Sequence, residues 1–106
     1  MAMGSAVAYQ DDRLVTREEV HYRARATGPD GQSFTMLIVN ISAMGLMARC
    51  DAPYQSGDTL QIVLPVVGSV VAEIRWSLGG RFGCELTAPI ELANYYDLLA
   101  ILLKSS

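Results

Sequence analysis

Most of this sequence is built from short runs whose apolar residues fall at every second position, and only its last stretch changes period. "VHYRARA" (20–26) sets Val20, Tyr22, Ala24 and Ala26 on one face and His21, Arg23 and Arg25 on the other, the pattern of a half-buried strand. "TGPDGQ" (27–32) is a turn, because Pro fixes φ and Gly permits φ > 0. "SFTMLIVN" (33–40) is apolar on both faces and predicts a central or doubly covered strand. After a reversal at Asn40–Gly45, "LMARC" reads as a short strand and "DAPYQSGD" (51–58) as a loop. "TLQIVLP" buries Leu60, Ile62 and Leu64. "SVVAEIRW" turns Val70, Ala72, Ile74 and Trp76 inward, with Glu73 and Arg75 outward. "SLGG" reverses the chain, and "RFGCEL" brings back Phe82, Cys84 and Leu86. Six short strands at regular spacing predict a small antiparallel barrel or sandwich.

"PIELANYYDLLAILLKSS" (89–106) then repeats at helical spacing. Leu92, Tyr95, Leu99 and Leu102 share a stripe, Pro89 suits a first helical turn and Thr87 a cap. Leu98 and Ile101 add apolar bulk away from that stripe, and a helix apolar nearly all round is buried on more than one side. One face is expected to plug the barrel. Packing of the other within one chain is the favoured arrangement, and a homodimer through the C-terminal helix is the alternative. Residues 1–12 read as a flexible leader, "MAMGS" resembling a vector-derived start, and residues 13–106 as one domain.

Composition narrows the function. The net charge of −3 argues against a polymeric nucleic acid held by counterion release. No apolar run approaches the ~20 residues that span a bilayer, and no secretory signal pattern is present, so neither a membrane nor export is expected. Of the eight basic residues, seven are arginines and only Lys104 is lysine. Arginine's planar fork matches phosphates and guanine edges, which fits a small anionic ligand. Cys50 and Cys84 show no disulfide or metal spacing and read as small buried hydrophobes, consistent with a cytoplasmic protein. His21, the sole histidine, has no partner at metal-ligand spacing and reads as a surface residue. No Gly-rich phosphate loop, nucleophile elbow or zinc signature appears, so no catalytic residue and no cofactor are expected.

Two polar clusters remain. Arg13 and Arg17 lie four apart ahead of the first strand. Asn40, Ser42 and Gly45 lie in the reversal "NISAMG". One strand, one turn and one strand separate the clusters, so a hairpin of that length returns the chain to where it began. Alone, "NISAMG" reads as a turn held by its Asn and Ser side chains. Beside Arg13 and Arg17 it reads as half of a ligand site.

These two segments resemble the motifs of the PilZ domain, a bacterial receptor for the second messenger cyclic di-GMP. "RLVTR" (13–17) matches the family's Arg-x-x-x-Arg, and "NISAMG" matches its Asp/Asn-x-Ser-x-x-Gly, with Asn40 in place of the commoner Asp. "EIRW" and "GCEL" resemble the late strands, so the resemblance runs from about Arg13 to Leu86. It implies a mainly β fold, a six-stranded antiparallel β-barrel with a C-terminal α-helix. It also implies a signal-transduction role, with cyclic di-GMP as the ligand and a downstream protein as partner. Arg13, Arg17, Asn40, Ser42 and Gly45 are the implied ligand residues, with Trp76, Arg75 and Arg81 as further candidates. Gly45 would serve the backbone through φ > 0 and close approach. Some family members carry a basic residue where this chain has Glu85, and that residue supports a stacked ligand pair; an acid there is unfavourable beside phosphates. Glu18 and Glu19 are expected to pair with Arg17 when no ligand is bound. Members lacking the arginine motif act as protein–protein adaptors, which is the alternative function.

Overall fold

A computed structural model describes residues 15–104. Among them, strands β1 (Glu18–Thr27), β2 (Ser33–Ile41), β3 (Gly45–Arg49), β4 (Thr59–Leu64), β5 (Gly68–Leu78) and β6 (Arg81–Leu86) precede one helix, α1 (Leu92–Lys104). The strands close a barrel in the order β1-β2-β3-β6-β5-β4, every neighbour antiparallel, with β4 pairing back onto β1 at Ala26↔Ile62. Closure removes the open sheet edges that would otherwise invite pairing with other chains.

Period-two alternation sends one set of side chains to the interior. Ala24, Ala26, Met36, Ile38, Leu46, Ala48, Leu60, Ile62, Leu64, Ala72, Ile74, Phe82, Cys84 and Leu86 are buried there. Small residues on β1, β3 and β5 face bulky ones on β2, β4 and β6, which fills a narrow barrel. Each fully buried Leu or Ile contributes roughly 1.5–3 kcal/mol relative to exposure.

Three irregularities break the alternation. In β1 the register slips between Glu19 and Tyr22, in β2 between Ile38 and Asn40, and in β5 between Ile74 and Trp76. A bulge places two residues opposite one and re-aims the side chain that follows. Trp76 therefore points outward and is 43% exposed, contrary to the inward position that alternation implies. Val70 is half-buried where full burial is expected.

Helix α1 lies across the end of the barrel that carries the β2–β3 bend. Tyr95 donates its hydroxyl to the Ile41 carbonyl at 3.1 Å. Its buried face is Tyr95, Leu98 and Leu102, with Leu92 and Leu99 half-buried. The stripe thus centres on Leu98, not on Leu99 as the spacing alone suggests. The helix also starts later than Pro89, because the Ile90 N–H bonds to the Ala43 carbonyl at 2.8 Å and holds the lead-in against the bend. No described helix is long and apolar enough to cross a membrane.

Two local features give measurable consequences. The β4–β5 turn closes through Val67 N–H to the Pro65 carbonyl at 2.6 Å, around Val66 at φ 68°. A β-branched residue at positive φ is strained by roughly 1–3 kcal/mol. Val66→Gly is expected to raise stability by about 1 kcal/mol in urea titration, part of the relief being offset by glycine's extra freedom when unfolded.

Burial pushes the Tyr95 phenol and the Cys84 thiol up to about 12, from ordinary values of 10.0 and 9.0. Both groups are more easily ionised in the unfolded chain, so their contribution is complete below pH 9 and is lost as pH rises toward 12. Thermal melts across that range should show the decline. Tyr95→Phe should cost about 1 kcal/mol at pH 7 and make the alkaline fall shallower.

Candidate functional site

The "NISAMG" bend is held by its own hydrogen bonds. The Ser42 N–H donates to the Gly45 carbonyl at 2.8 Å. The Ser42 hydroxyl accepts from the N–H groups of Met44 and Gly45, each at 3.2 Å, and donates to the Gly45 carbonyl at 3.4 Å. Ser42 is 2% exposed, the only buried polar side chain among the described residues. The carbonyls of Ile41, Ala43 and Met44 accept from Tyr95, Ile90 and Leu86 in turn. Three hydrogen bonds thus stitch the bend to the exit of β6 and to the helix.

Gly45 is needed here for closeness. Its φ is not positive, contrary to the sequence expectation. A Cβ at this position would run into the Cys84 backbone carbonyl, so only glycine lets β3 lie this near β6. Gly83 plays the matching part for Trp76: a Cβ there would overlap the indole, so only glycine lets the ring lie this close to β6.

Around these elements opens a cleft of about 350 Å³, lined by Arg17, Ser42, Met44, Gly45, Arg75, Trp76, Gly83 and Glu85 among others. At its lip the Arg17 guanidinium donates from Nη1 to Asn40 Oδ1 at 2.8 Å, across 23 residues of chain. Among the described residues the partner of Arg17 is therefore this amide and neither Glu18 nor Glu19. Two of the bulges act here. That in β2 turns Asn40 out to meet Arg17, and that in β5 turns Trp76 out over the cleft.

Arg75 also lines the cleft, but its charge is spent. Its guanidinium contacts Glu85 Oε1 at 2.7 Å through both Nε and Nη2, and Glu73 lies at 3.6 Å. Arg81 is elsewhere. It pairs with Arg49, whereas Gly45 pairs with Glu85, so Arg81 sits at the opposite end of the β3–β6 ladder from the cleft. Arg13 lies outside the described residues. The bulges and the neutralisation of Arg75 had no signal in the sequence beyond Glu85 itself.

A small closed barrel thus carries a hydrogen-bonded polar bend, an arginine beside it and an exposed indole over the same cleft. Residues 11–104 match the family model of the PilZ domain. The chain belongs to the PilZ domain family, known for its cyclic di-GMP receptors, whose members generally act as binding or regulatory domains. The fold is similar to that of the PilZ domain of CeSA from a cellulose-synthesizing bacterium, with a TM-score of 0.62 at 17% identity, covering 85% of this chain and 97% of that one. No match was found among curated protein sequences.

Proposed function

We propose that this chain is a cyclic di-GMP receptor that takes one nucleotide in the cleft beside the Asn40–Gly45 bend. The observation that carries the reading is the 2.8 Å contact of Arg17 with Asn40, which joins the two motif halves at the mouth of the cleft. Cyclic di-GMP presents two phosphodiester charges and two guanines. An arginine fork bonds phosphate oxygens or bridges guanine O6 and N7, and such charge-assisted pairs are the strong ones. Arg17 releases Asn40 to engage the ligand, and Arg13 closes from the same segment. Asn40, freed, offers an acceptor and a donor to a guanine edge. Ser42 acts through the bend, holding the Met44 and Gly45 backbone in place, and Trp76 provides a stacking face.

Among the described residues, Arg75 is held by Glu85, which leaves it paired where a second stacked nucleotide would need a free cation. One ligand per chain follows. Closure of the arginine segment over the bend would reshape the barrel end that α1 covers, and that new surface is what a downstream protein reads.

Titration calorimetry with cyclic di-GMP tests the reading. Saturable binding near one nucleotide per chain is expected, accompanied by a change in the emission of Trp76, the only tryptophan. Absence of heat in folded protein at high micromolar nucleotide would reject it. The neutralised Arg75 also favours a second reading, a PilZ-fold adaptor that does not use the nucleotide. A protein partner retained with and without nucleotide, and after loss of both Arg13 and Arg17, would establish that alternative.

A further inference from the structure

The strand register draws a line of arginines and leucines across the outside of the barrel. Arg23 on β1 pairs with Leu37 on β2, Leu37 with Arg49 on β3, Arg49 with Arg81 on β6, and Arg81 with Leu78 on β5. Five adjacent strands at ~4.8 Å spacing make this row roughly 20 Å long. The three arginines are exposed, Leu37 is half-buried, and Leu78 is 78% exposed, the most exposed of the large apolar side chains described.

The row is electrostatically unfavourable as it stands. Arg49 faces Arg81 directly, and like charges opposite one another on a sheet are destabilising. Among the described residues neither Arg23, Arg49 nor Arg81 has a carboxylate within 4.0 Å, whereas Arg75 has two. Asp51 borders the row but forms no ion pair with it. A chain of net charge −3 has thus gathered unpaired cations on one wall. Between Arg23 and Arg49 lies a polar hollow of about 290 Å³, bounded by Thr35, Asp51 and the Gly79–Gly80 turn. It is large enough to receive a carboxylate side chain.

We propose that this wall is a docking surface for an acidic segment of a partner protein, one that carries carboxylates and apolar side chains on the same face. Arginine forks match carboxylates in bidentate geometry. The interleaved Leu37 and Leu78 accept the apolar positions. Those leucines select a peptide over a nucleic acid, which would call for aromatic platforms among the cations. The row borders the cleft, Leu78 and Arg81 lying two residues from Trp76 and Gly83, but shares no residue with it, so the recognition chemistry proposed here uses none of the nucleotide-site side chains.

The test is amide-shift mapping of the ¹⁵N-labelled chain titrated with an acetylated Glu-Ser-Leu-Ser-Glu-Ser-Glu-Ser-Leu peptide, whose carboxylates and leucines share one face when extended. Parallel arms use the same peptide with glutamine for each glutamate, a DNA duplex, and phosphatidylglycerol vesicles. Saturable shifts should cluster at Arg23, Leu37, Arg49, Leu78 and Arg81. They should weaken at least fivefold in the Arg49→Glu/Arg81→Glu variant and be absent with the glutamine peptide. Leu78→Ser, which changes no charge, should weaken binding while the melting temperature holds. The proposal is overturned if millimolar peptide leaves this wall unshifted, if either variant binds like the parent, or if DNA or vesicles occupy the wall more tightly than the peptide.

Discussion

Arg17→Ala is expected to lower the affinity for cyclic di-GMP at least tenfold, with little effect on the fold. Arg17 is exposed, and its one described contact is the 2.8 Å bond to Asn40. Losing that bond costs the free protein no more than about 1 kcal/mol, because water replaces it at the surface. Losing the guanidinium from the bound state removes a charge-assisted contact worth about 1.5–3 kcal/mol, which is roughly ten- to hundredfold in affinity. Arg17→Lys should fall between the two, since an ammonium keeps the charge but not the planar fork. Calorimetry on the three proteins decides the matter. An Arg17→Ala affinity equal to the parent's would mean that the nucleotide is held without this segment.

Leu98→Ala destabilises the domain by about 2–5 kcal/mol. Leu98 is 0% exposed, at the centre of the face that α1 lays against the barrel. Truncation leaves a cavity under a helix that has no strand ladder to hold it. The melting temperature should drop by at least about 10 °C for a domain of this size. Leu103→Ala, at a half-exposed position on the outer side of the same helix, should change stability by no more than about 0.5 kcal/mol. The contrast between the two variants separates packing from helix propensity, since both replace leucine by alanine. If the Leu98 variant melts like the parent, the helix does not contribute to the core as described.

The function proposed above links these two results. The bend that faces the cleft gives two of its carbonyls, those of Ile41 and Ala43, to the helix and its lead-in. Loosening α1 in the Leu98 variant therefore also loosens the backbone on which a ligand would rest. A weaker nucleotide affinity in that variant is expected even though Leu98 does not line the cleft.

Much of this architecture was legible in the residues. Alternation in "VHYRARA", "TLQIVLP" and "RFGCEL" marked three strands and their inner faces, because a half-buried strand must change character at every residue. Pro29, Gly31, Gly79 and Gly80 marked turns for conformational reasons that act locally. The separation of "RLVTR" from "NISAMG" by one hairpin anticipated the meeting of Arg17 with Asn40, because antiparallel pairing returns a chain to its start. The helix was legible as a period but not as a surface: spacing could not choose between Leu98 and Leu99 without the barrel end it packs on.

The sequence by itself determined which segments become strands, where they turn, and which polar groups hairpin geometry would bring close. Those properties depend on residues near one another along the chain. Only the tertiary structure decided that Asn40 and Trp76 leave the inward face, that Arg75 is neutralised by Glu85, and that Arg49 stands opposite Arg81. Each of these follows from register between separate strands, including where one strand carries an extra residue against its neighbour. A period of two contains no record of that offset, because it is set by how all six strands must match to close the barrel.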